Sequence, residues 1–262
     1  MTWKLLRYFG LGLVFCLLFA IFLVATAPAT WLAWAVARES RGVVNLNAPG
    51  GSLWNGSASL VLHEAGSPPR DLGRLTWDMH AWWLLLGRAQ VELRLVDKNI
   101  DVHGLVGLTY QSLYLNDVTA DINAVYATTV YPPAALFSPE GRVTLRAPSV
   151  KLQSGSMTGK VEASWTNAAA SFSNGKVLGD YRLEMDGQGQ SVPVKLETLQ
   201  GKLKLDGQGA WQPGSGHVLM SGNATPQEPS SDVEALLKLM GPDLGGGRRA
   251  WRFEQNMVGL GR

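Results

Sequence analysis

Thirty consecutive residues near the start of the chain, 8–37, carry no charged side chain. Residues 8–27 are almost entirely apolar, and a bilayer core of ~30 Å needs about 20 helical residues at ~1.5 Å each. A helix that is apolar on every side must be covered by lipid or by protein, so this stretch predicts a single transmembrane anchor. Lys4 and Arg7 precede it, and Trp31 and Trp34 follow it, which predicts these four residues at the membrane interfaces.

A cleaved signal peptide is the alternative to an anchor, because Ala25-Thr26-Ala27 resembles an A-x-A cleavage site. Two features favour retention. The apolar core is longer than the ~7–15 residues usual for a signal peptide. Pro28 would also follow the cut, and its fixed φ and missing N–H make a poor extended protease substrate.

The orientation follows from the rest of the chain, because the basic residues on the two sides of the span are nearly balanced. No second long apolar stretch returns the chain across the membrane. We therefore predict a cytoplasmic tail over residues 1–7, an anchor over 8–27, a juxtamembrane segment over 28–41 and an extracytoplasmic β-rich domain over 42–262. The length of this last part fits one large domain or two small ones.

Short segments of alternating apolar and polar residues fill the chain beyond the anchor. Between Val91 and Leu95 every second residue is apolar, and the residues between them are charged. This period of two is typical of a strand with one buried face and one solvated face, as in antiparallel sheets. The same pattern recurs over residues 60–62, 142–146, 160–165, 181–185 and 202–205. The fold class is therefore predicted to be mostly β and mostly antiparallel.

Three dipeptides predict turns, because Asn, Asp and Gly tolerate positive φ: Asn174-Gly175, Asp186-Gly187 and Asp206-Gly207. Residues 183–189 and 203–209 also resemble each other at a spacing of twenty. That spacing is about one β-hairpin, which indicates that one pairing unit is used twice.

Helical patterns are few outside the anchor. Residues 231–240 carry a capping box at Ser231 and Glu234 and an apolar stripe, which predicts one short helix that caps an open end of the sheet. Residues 31–39 predict a short helix that continues the anchor past Pro28. Residues 81–86 predict a helical turn between the strands over 72–79 and 88–96.

The composition argues against nucleic-acid binding. After Gly42 the chain has 19 Lys and Arg against 20 Asp and Glu, so no clustered basic surface is available. Cys16, the only cysteine, lies within the predicted anchor, so no disulfide holds the domain together.

No motif predicts catalysis, a cofactor or a metal site. None of the four histidines has a second ligand at the spacing of a zinc site, and no nucleophile elbow, phosphate loop or dinucleotide fingerprint is present. Asp78 and His80 share a strand face, which indicates a surface pair rather than half of a catalytic triad. Residues 245–249 fit either an anion cradle or, as we favour, a mobile joint before a last strand over 250–254.

Ten tryptophans are many for this length. Trp buries a large apolar area and needs an acceptor for its N–H. Three roles fit them: the sheet core, a lipid-holding groove, or a surface for a partner protein.

A resemblance to a known family rests on residues 48–58, which read Ala-Pro-Gly-Gly-Ser-Leu-Trp-Asn-Gly-Ser-Ala. This block is similar to the G-[TS]-[LV]-W-x-G-x-A turn of the type II secretion system protein N (general secretion pathway protein N) family. Residues 75–77, 85–88 and 236–241 are similar to later segments of that family, and the insertion at 242–247 departs from it. The resemblance assigns Gly51, Leu53, Trp54 and Gly56 to a structural turn, in which we expect Trp54 to pin the hairpin to the core.

What the resemblance implies is an accessory inner-membrane component of the type II secretion system, which exports folded proteins across the outer membrane. The expected location is the cell inner membrane, with one span, a cytoplasmic N-terminus and a periplasmic C-terminal domain. The implied partners are other secretion-system subunits and inner-membrane lipid. The family carries no catalytic residues, so none is assigned and an enzyme ranks third among the functions.

The second function is lipid binding or transfer. A curved, mostly antiparallel sheet with an apolar concave face behind an N-terminal helix resembles the AsmA/TamB group of envelope proteins. That resemblance implies phospholipid as a possible bound partner.

Overall fold

The computed structural model describes residues 2–63, 68–84, 86–126, 128, 132–173, 175–227, 233, 237 and 241–256, without the side chains of 2–11, 132, 133, 135 and 172. Over these residues fourteen strands form one antiparallel sheet. The strands are β1 Val44–Gly51, β2 Asn55–Leu62, β3 Arg70–Met79, β4 Arg88–Asp97, β5 Ile100–Thr109, β6 Ser112–Asn123, β7 Glu140–Gln153, β8 Ser156–Ala169, β9 Gly179–Gly189, β10 Val192–Gly201, β11 Leu203–Gln212, β12 His217–Pro226, β13 Asp243–Gly245 and β14 Arg248–Asn256. They follow sequence order across the sheet, except that β14 lies between β12 and β13.

Three α-helices accompany the sheet in the described part of the chain: α1 Thr2–Ala25, α2 Ala29–Glu39 and α3 Ala81–Leu84. Short 3-10 turns cover Ala124–Tyr126, Pro132–Phe137 and Ser171–Ser173. Taken over the fully described residues alone, which begin at Gly12, none of the helices combines the length and apolar character that a membrane crossing requires. The anchor over residues 8–27 stays a prediction.

The alternation of apolar and polar residues predicted the sheet correctly. The segments chosen on that pattern lie inside strands, except that residue 202 precedes β11 by one position, and the pairings between the described strands are antiparallel, so the mostly β fold class is confirmed. The twenty-residue similarity has a simple structural meaning. Its two copies lie on β9 and β11, the two neighbours of β10, where Val194 pairs with Met185 on one side and Gly209 on the other.

Two of the predicted turns are wrong. Asp186-Gly187 and Asp206-Gly207 lie inside β9 and β11. A Cβ on Gly187 would lie 2.7 Å from the side chain of Met157, and one on Gly207 would lie 2.3 Å from the ring of Trp251. These glycines therefore make room for a neighbouring side chain. At the third pair Gly175 has a φ of 72°, and Asn174 lies outside the described residues.

The sheet curls strongly along its length. The turn between β7 and β8 touches the turn between β11 and β12, where a Cβ on Gly155 would lie 2.9 Å from Cα of Gly214. In a flat sheet these turns would be roughly 19 Å apart, since neighbouring strands are about 4.8 Å apart. The curvature turns one face of the sheet inward, and that face carries the apolar clusters.

The core is a series of small clusters along the inner face of the sheet. Met157 and Val192, from β8 and β10, are buried at its centre together with Ala147 and Val150. Toward the far end Leu203 and Ala224 pack with Val233 and Leu237. The predicted capping helix over 231–240 lies mostly outside the described residues. Its described members, Val233 and Leu237, have helical backbone and are 1% and 4% exposed.

Tyr181 is a buried residue of this core whose polar group has a partner. The hydroxyl of Tyr181 donates a hydrogen bond to the carbonyl of Leu203 at 3.0 Å. Burial raises the pKa of Tyr181, and the nearby carboxylate of Asp180 acts in the same direction. The phenol therefore remains protonated and acts as a donor that joins β9 to β11.

Replacement of the central methionine tests whether these small clusters stabilise the whole sheet. We expect Met157→Ala to lower the free energy of unfolding by about 2–5 kcal/mol, because its side chain is fully buried and would leave a cavity. Leu199→Ala, on an exposed position of β10, is the matched control and should cost less than about 1 kcal/mol. Urea unfolding of the full chain in detergent, followed by tryptophan fluorescence, measures both. Equal losses in the two variants would contradict the burial argument.

Candidate functional site at the helix–sheet junction

The turn between β1 and β2 carries the residues that the sequence singled out. Gly51 and Gly56 pair with each other across the hairpin and enclose residues 52–55. Gly51 has a φ of 88°, and a Cβ there would lie 2.5 Å from the carbonyl oxygen of Asn55. Only glycine fits this position, because an L side chain would meet both a strained backbone and a clash.

Gly56 serves a different purpose from Gly51. A Cβ on Gly56 would lie 2.5 Å from the ring of Trp77, its pairing partner on β3. Trp77 is only 3% exposed, and its indole N–H donates to the carbonyl of Leu53 at 3.1 Å. Because Gly56 has no side chain, the indole of Trp77 lies against the β2 backbone, where its hydrogen bond to Leu53 stabilises the turn.

The same turn binds the end of α1. The amide of Leu53 donates to the carbonyl of Ala27 at 2.8 Å, and the indole N–H of Trp54 donates to the carbonyl of Val24 at 2.9 Å. Pro28 forms a β-bridge with Ser52. Val24 lies in the last turn of α1, where its carbonyl also accepts from the amide of Ala27 at 3.2 Å, and Ala27 lies two residues beyond the helix. We call residues 24–28, residues 52–54 and Trp77 the junction.

The expected role of Trp54 needs correction. Trp54 is half-buried and bonds to α1, while the tryptophan that packs in the core beneath the turn is Trp77. Sequence reasoning missed Trp77 as part of the site. Its signal is its position, since it lies on the next strand directly opposite the motif glycine Gly56.

α2 does not continue α1. Thr26–Pro28 separate the two helices, and Pro28 has an extended backbone. α2 then packs against β1, with Ala29, Leu32 and Val36 on the apolar cluster around Trp77. Trp31 and Trp34 are exposed on α2, and the guanidinium of Arg38 lies 5.2 Å from the Trp34 ring centre. Lys4 and Arg7 belong to α1, and their side chains lie outside those that the structure describes.

A polar hollow lies beside the junction. Its volume is about 730 Å³, and glycines at the ends of β1 and β2 form part of its wall. Two cations and two anions line it: Arg74, Arg94, Asp78 and Glu92. Some of these groups are fixed by neighbours, since Arg74 donates to the Ser57 hydroxyl at 3.1 Å and Asn55 donates to Asp78 at 3.0 Å. The hollow suits a polar partner surface of mixed charge.

The groups considered for chemistry are ordinary surface pairs. His80 Nδ1 lies 3.9 Å from Asp78 Oδ1, and both side chains are more than half exposed. Within the described residues, no group of three His, Cys, Asp or Glu side chains is placed to hold a metal ion. Gly246 and Gly247 form the turn between β13 and β14, and both have positive φ, as does Gly245 at the end of β13. Arg249 is paired with Asp243 at 3.2 Å, which argues against an anion cradle.

Comparison with known families decides the assignment. The model of the type II secretion system (T2SS), protein N, matches residues 43–252, which include the turn, the hollow and nearly all of the sheet. The chain belongs to the type II secretion system protein N family. The resemblance carried by residues 48–58 is thereby confirmed. No curated protein and no solved structure matches significantly.

Family membership gives the function in outline. A T2SS protein N has an accessory role in type II secretion and interacts with other components of that system. Association with the inner membrane agrees with the family.

The contact between Gly56 and Trp77 can be tested by adding a single methyl group. We expect Gly56→Ala to lower the free energy of unfolding by about 1–3 kcal/mol, because the new Cβ overlaps the ring and the Gly50 carbonyl. Gly107→Ala is the matched control, a strand glycine whose Cβ would meet nothing closer than 3.5 Å. It should be neutral or slightly stabilising, since Ala restricts the unfolded chain more than Gly does. Thermal melts of the full chain in detergent compare the two; equal effects would refute the role of the ring contact.

Proposed function

We propose that this protein is a membrane-tethered periplasmic interaction module of the type II secretion system. In this proposal residues 8–27 anchor it in the inner membrane, the N-terminus is cytoplasmic and the sheet is periplasmic. The observation that carries the proposal is the junction, where two hydrogen bonds join the β1–β2 turn to Val24 in the last turn of α1 and to Ala27, two residues beyond it. A helix attached in this way fixes the orientation of the sheet relative to the membrane.

The surface of α1 supports a lipid environment. Its described apolar side chains are solvent-exposed, with Phe15 70% and Phe22 64% exposed. Exposed apolar area costs about 25 cal/mol per Å² in water, a cost that a hydrocarbon environment removes. The 24 residues of α1 extend about 36 Å at ~1.5 Å per residue, enough for a bilayer core of ~30 Å.

Tethering explains how a module without catalytic groups contributes to export. Two proteins confined to one membrane meet at a higher effective concentration than two free proteins, so weak contacts suffice for assembly. Complementary charges on the polar hollow would then select the partner and its orientation. Asp78 and Glu92 lie opposite each other on β3 and β4, and Arg74 and Arg94 line the same hollow, so the complementary surface also carries both signs.

Both edge strands of the sheet are poorly suited to pairing with a strand of another protein, which favours docking at the polar hollow over strand addition. β1 is interrupted between Asn47 and Gly50, where Ala48 has a φ of 47° and Pro49 lacks an N–H. The opposite edge ends in β13, which is only three residues long. Bulges, prolines and short edge strands are the devices by which proteins prevent edge-to-edge pairing.

Site-specific photo-crosslinking in membranes that contain the assembled secretion system tests the proposal. A photoreactive residue in place of Thr76, exposed in the hollow, should crosslink to another secretion-system subunit. The same residue in place of Lys160, exposed on β8 away from the hollow, is the matched control. Products from the Thr76 position that contain no secretion subunit above the level of an unrelated anchored protein would overturn the proposal.

A second function, phospholipid binding, is favoured by the inner face of the curved sheet. Partly buried apolar residues such as Leu115, Leu183 and Leu196 continue along it between the buried clusters. The indole N–H of Trp211 is buried on that face and meets no acceptor within the described part of the chain. An ester carbonyl of a lipid would supply one, as the resemblance to the AsmA/TamB group implies.

Native mass spectrometry of the full chain, released from mild detergent, measures this second function. We expect a bound phospholipid in the wild type and weaker retention in Trp211→Phe, which keeps an aromatic ring but removes the N–H donor. Trp165→Phe makes the same change in ring size at an indole whose N–H already donates to the Glu140 carbonyl at 2.9 Å, and it is the control. Spectra without retained phospholipid in any of the three proteins would exclude lipid carriage.

A further inference from the structure

At one end of the strands, next to α1, the sheet exposes large apolar side chains. The connection from β3 to β4 exposes Trp82, Leu84 and Leu86, and the turn from β5 to β6 exposes Leu108 and Tyr110. Three of these exceed half exposure by a wide margin: Trp82 at 68%, Leu86 at 60% and Tyr110 at 98%. We call these five residues the apolar edge; they lie at the strand ends and not along the edge strands β1 and β13.

The apolar edge belongs to the same end of the sheet as the junction. Strands of an antiparallel sheet reverse at each turn, so every second connection lies at one end. The connections at residues 52–54, 80–87 and 110–111 therefore share an end. Farther along the same end, the turns at 154–155, 190–191 and 213–216 consist of Ser, Gly, Gln and Pro. The apolar side chains are thus confined to the two turns nearest α1 after the junction turn itself.

α1 and α3 face a common apolar hollow. Its volume is about 610 Å³, and it is lined by Ala20, Ile21, Val24 and Ala25 of α1, by Trp54, and by Ala81, Trp82 and Leu84. All of its lining residues are apolar or aromatic. Two residues of the apolar edge, Trp82 and Leu84, therefore share this hollow with the last turns of α1.

From these contacts we infer that the apolar edge is a second membrane contact, inserted into the headgroup and upper acyl region of the leaflet from which α1 emerges. This inference rests on the proposed anchor. Ile21 lies four residues before Ala25, the last residue of α1, which is about 6 Å along the axis at ~1.5 Å per residue. Segments that lie in the membrane interface bury their apolar faces by ~5–10 Å, which matches the depth that α3 reaches beside α1.

The composition of the apolar edge fits an interfacial location. Trp and Tyr prefer the boundary between headgroups and acyl chains because one end of each ring is polar. Arg88 is exposed at the start of β4, immediately after Leu86 and Gly87, and is placed to meet lipid phosphates. The occupant is therefore the bilayer itself, and the hollow beside α1 would be filled by acyl chains.

Fluorescence quenching by spin-labelled lipids tests this inference on the full chain in liposomes. Cys16 is the only cysteine, so the wild type carries an NBD probe on α1 alone. In a Cys16→Ala background, Leu86→Cys and Tyr110→Cys place the probe on the apolar edge. Lys98→Cys, exposed in the turn at the other end of β4, is the matched control about 33 Å away at ~3.3 Å per residue.

We expect lipids that carry doxyl groups near the headgroup to remove about half or more of the emission at positions 86 and 110, and little at 98. Cys16 lies deep in the predicted span and is therefore tested with lipids that carry the doxyl group deep in the acyl chain. Quenching at Cys16 by these lipids, without quenching at 86 and 110 by the headgroup-labelled lipids, would overturn the inference and leave the anchor in place. No quenching at Cys16 by the chain-labelled lipids would refute the anchor and the inference with it. Equal quenching at 86 and 98 would also overturn it, because the sheet would then lie along the membrane instead of touching it with one end.

Discussion

The indole of Trp77 packs against the bare backbone of Gly56 and donates its N–H to Leu53, and the position of the whole junction depends on this contact. It fixes the β1–β2 turn, so the amide of Leu53 and the indole of Trp54 meet the carbonyls of Ala27 and Val24. Each bond alone is worth only about 0.5–1.5 kcal/mol. Their joint effect is geometric, because they orient the sheet relative to the helix and place α3 and the end of α1 around one apolar hollow.

The body beyond the junction has no covalent reinforcement, since the only cysteine lies in α1. Its stability comes from strand pairing and from a chain of small clusters on the inner face, of which the one around Met157 and Val192 is central. Both edges of the sheet are protected against further pairing, by the interruption of β1 and by the short β13. A module built in this way stays separate from other sheets and presents its faces and its apolar edge for contacts.

Much of the fold was predictable because a half-buried antiparallel strand has a period of two, and this chain follows that period from residue 60 onward. The motif around Gly51 and Gly56 likewise led to the correct family. Asp186-Gly187 and Asp206-Gly207 were misread because a strand glycine that makes room for Met157 or Trp251 has the same local sequence as a turn. Only the tertiary contact separates the two cases.

The candidate site also depends on tertiary contacts that the local sequence does not reveal. Sequence reasoning identified Trp54, but its partner is a helix carbonyl thirty residues earlier, and the packing role belongs to Trp77 on another strand. α2 looked like a continuation of α1 because its residues are apolar, and its contacts with the cluster under β1 explain that composition instead. The apolar edge combines two turns that are far apart in sequence and adjacent only in the sheet.

The most direct test of a rigid junction is the distance between α1 and the sheet in lipid nanodiscs, measured by pulsed electron paramagnetic resonance. One spin label on Cys16 and a second on Lys98→Cys give a distance that depends on the orientation of the sheet relative to α1. A junction held by the Leu53, Trp54 and Trp77 bonds predicts a single narrow distance distribution. A broad distribution, such as a flexible linker between helix and sheet produces, would contradict it.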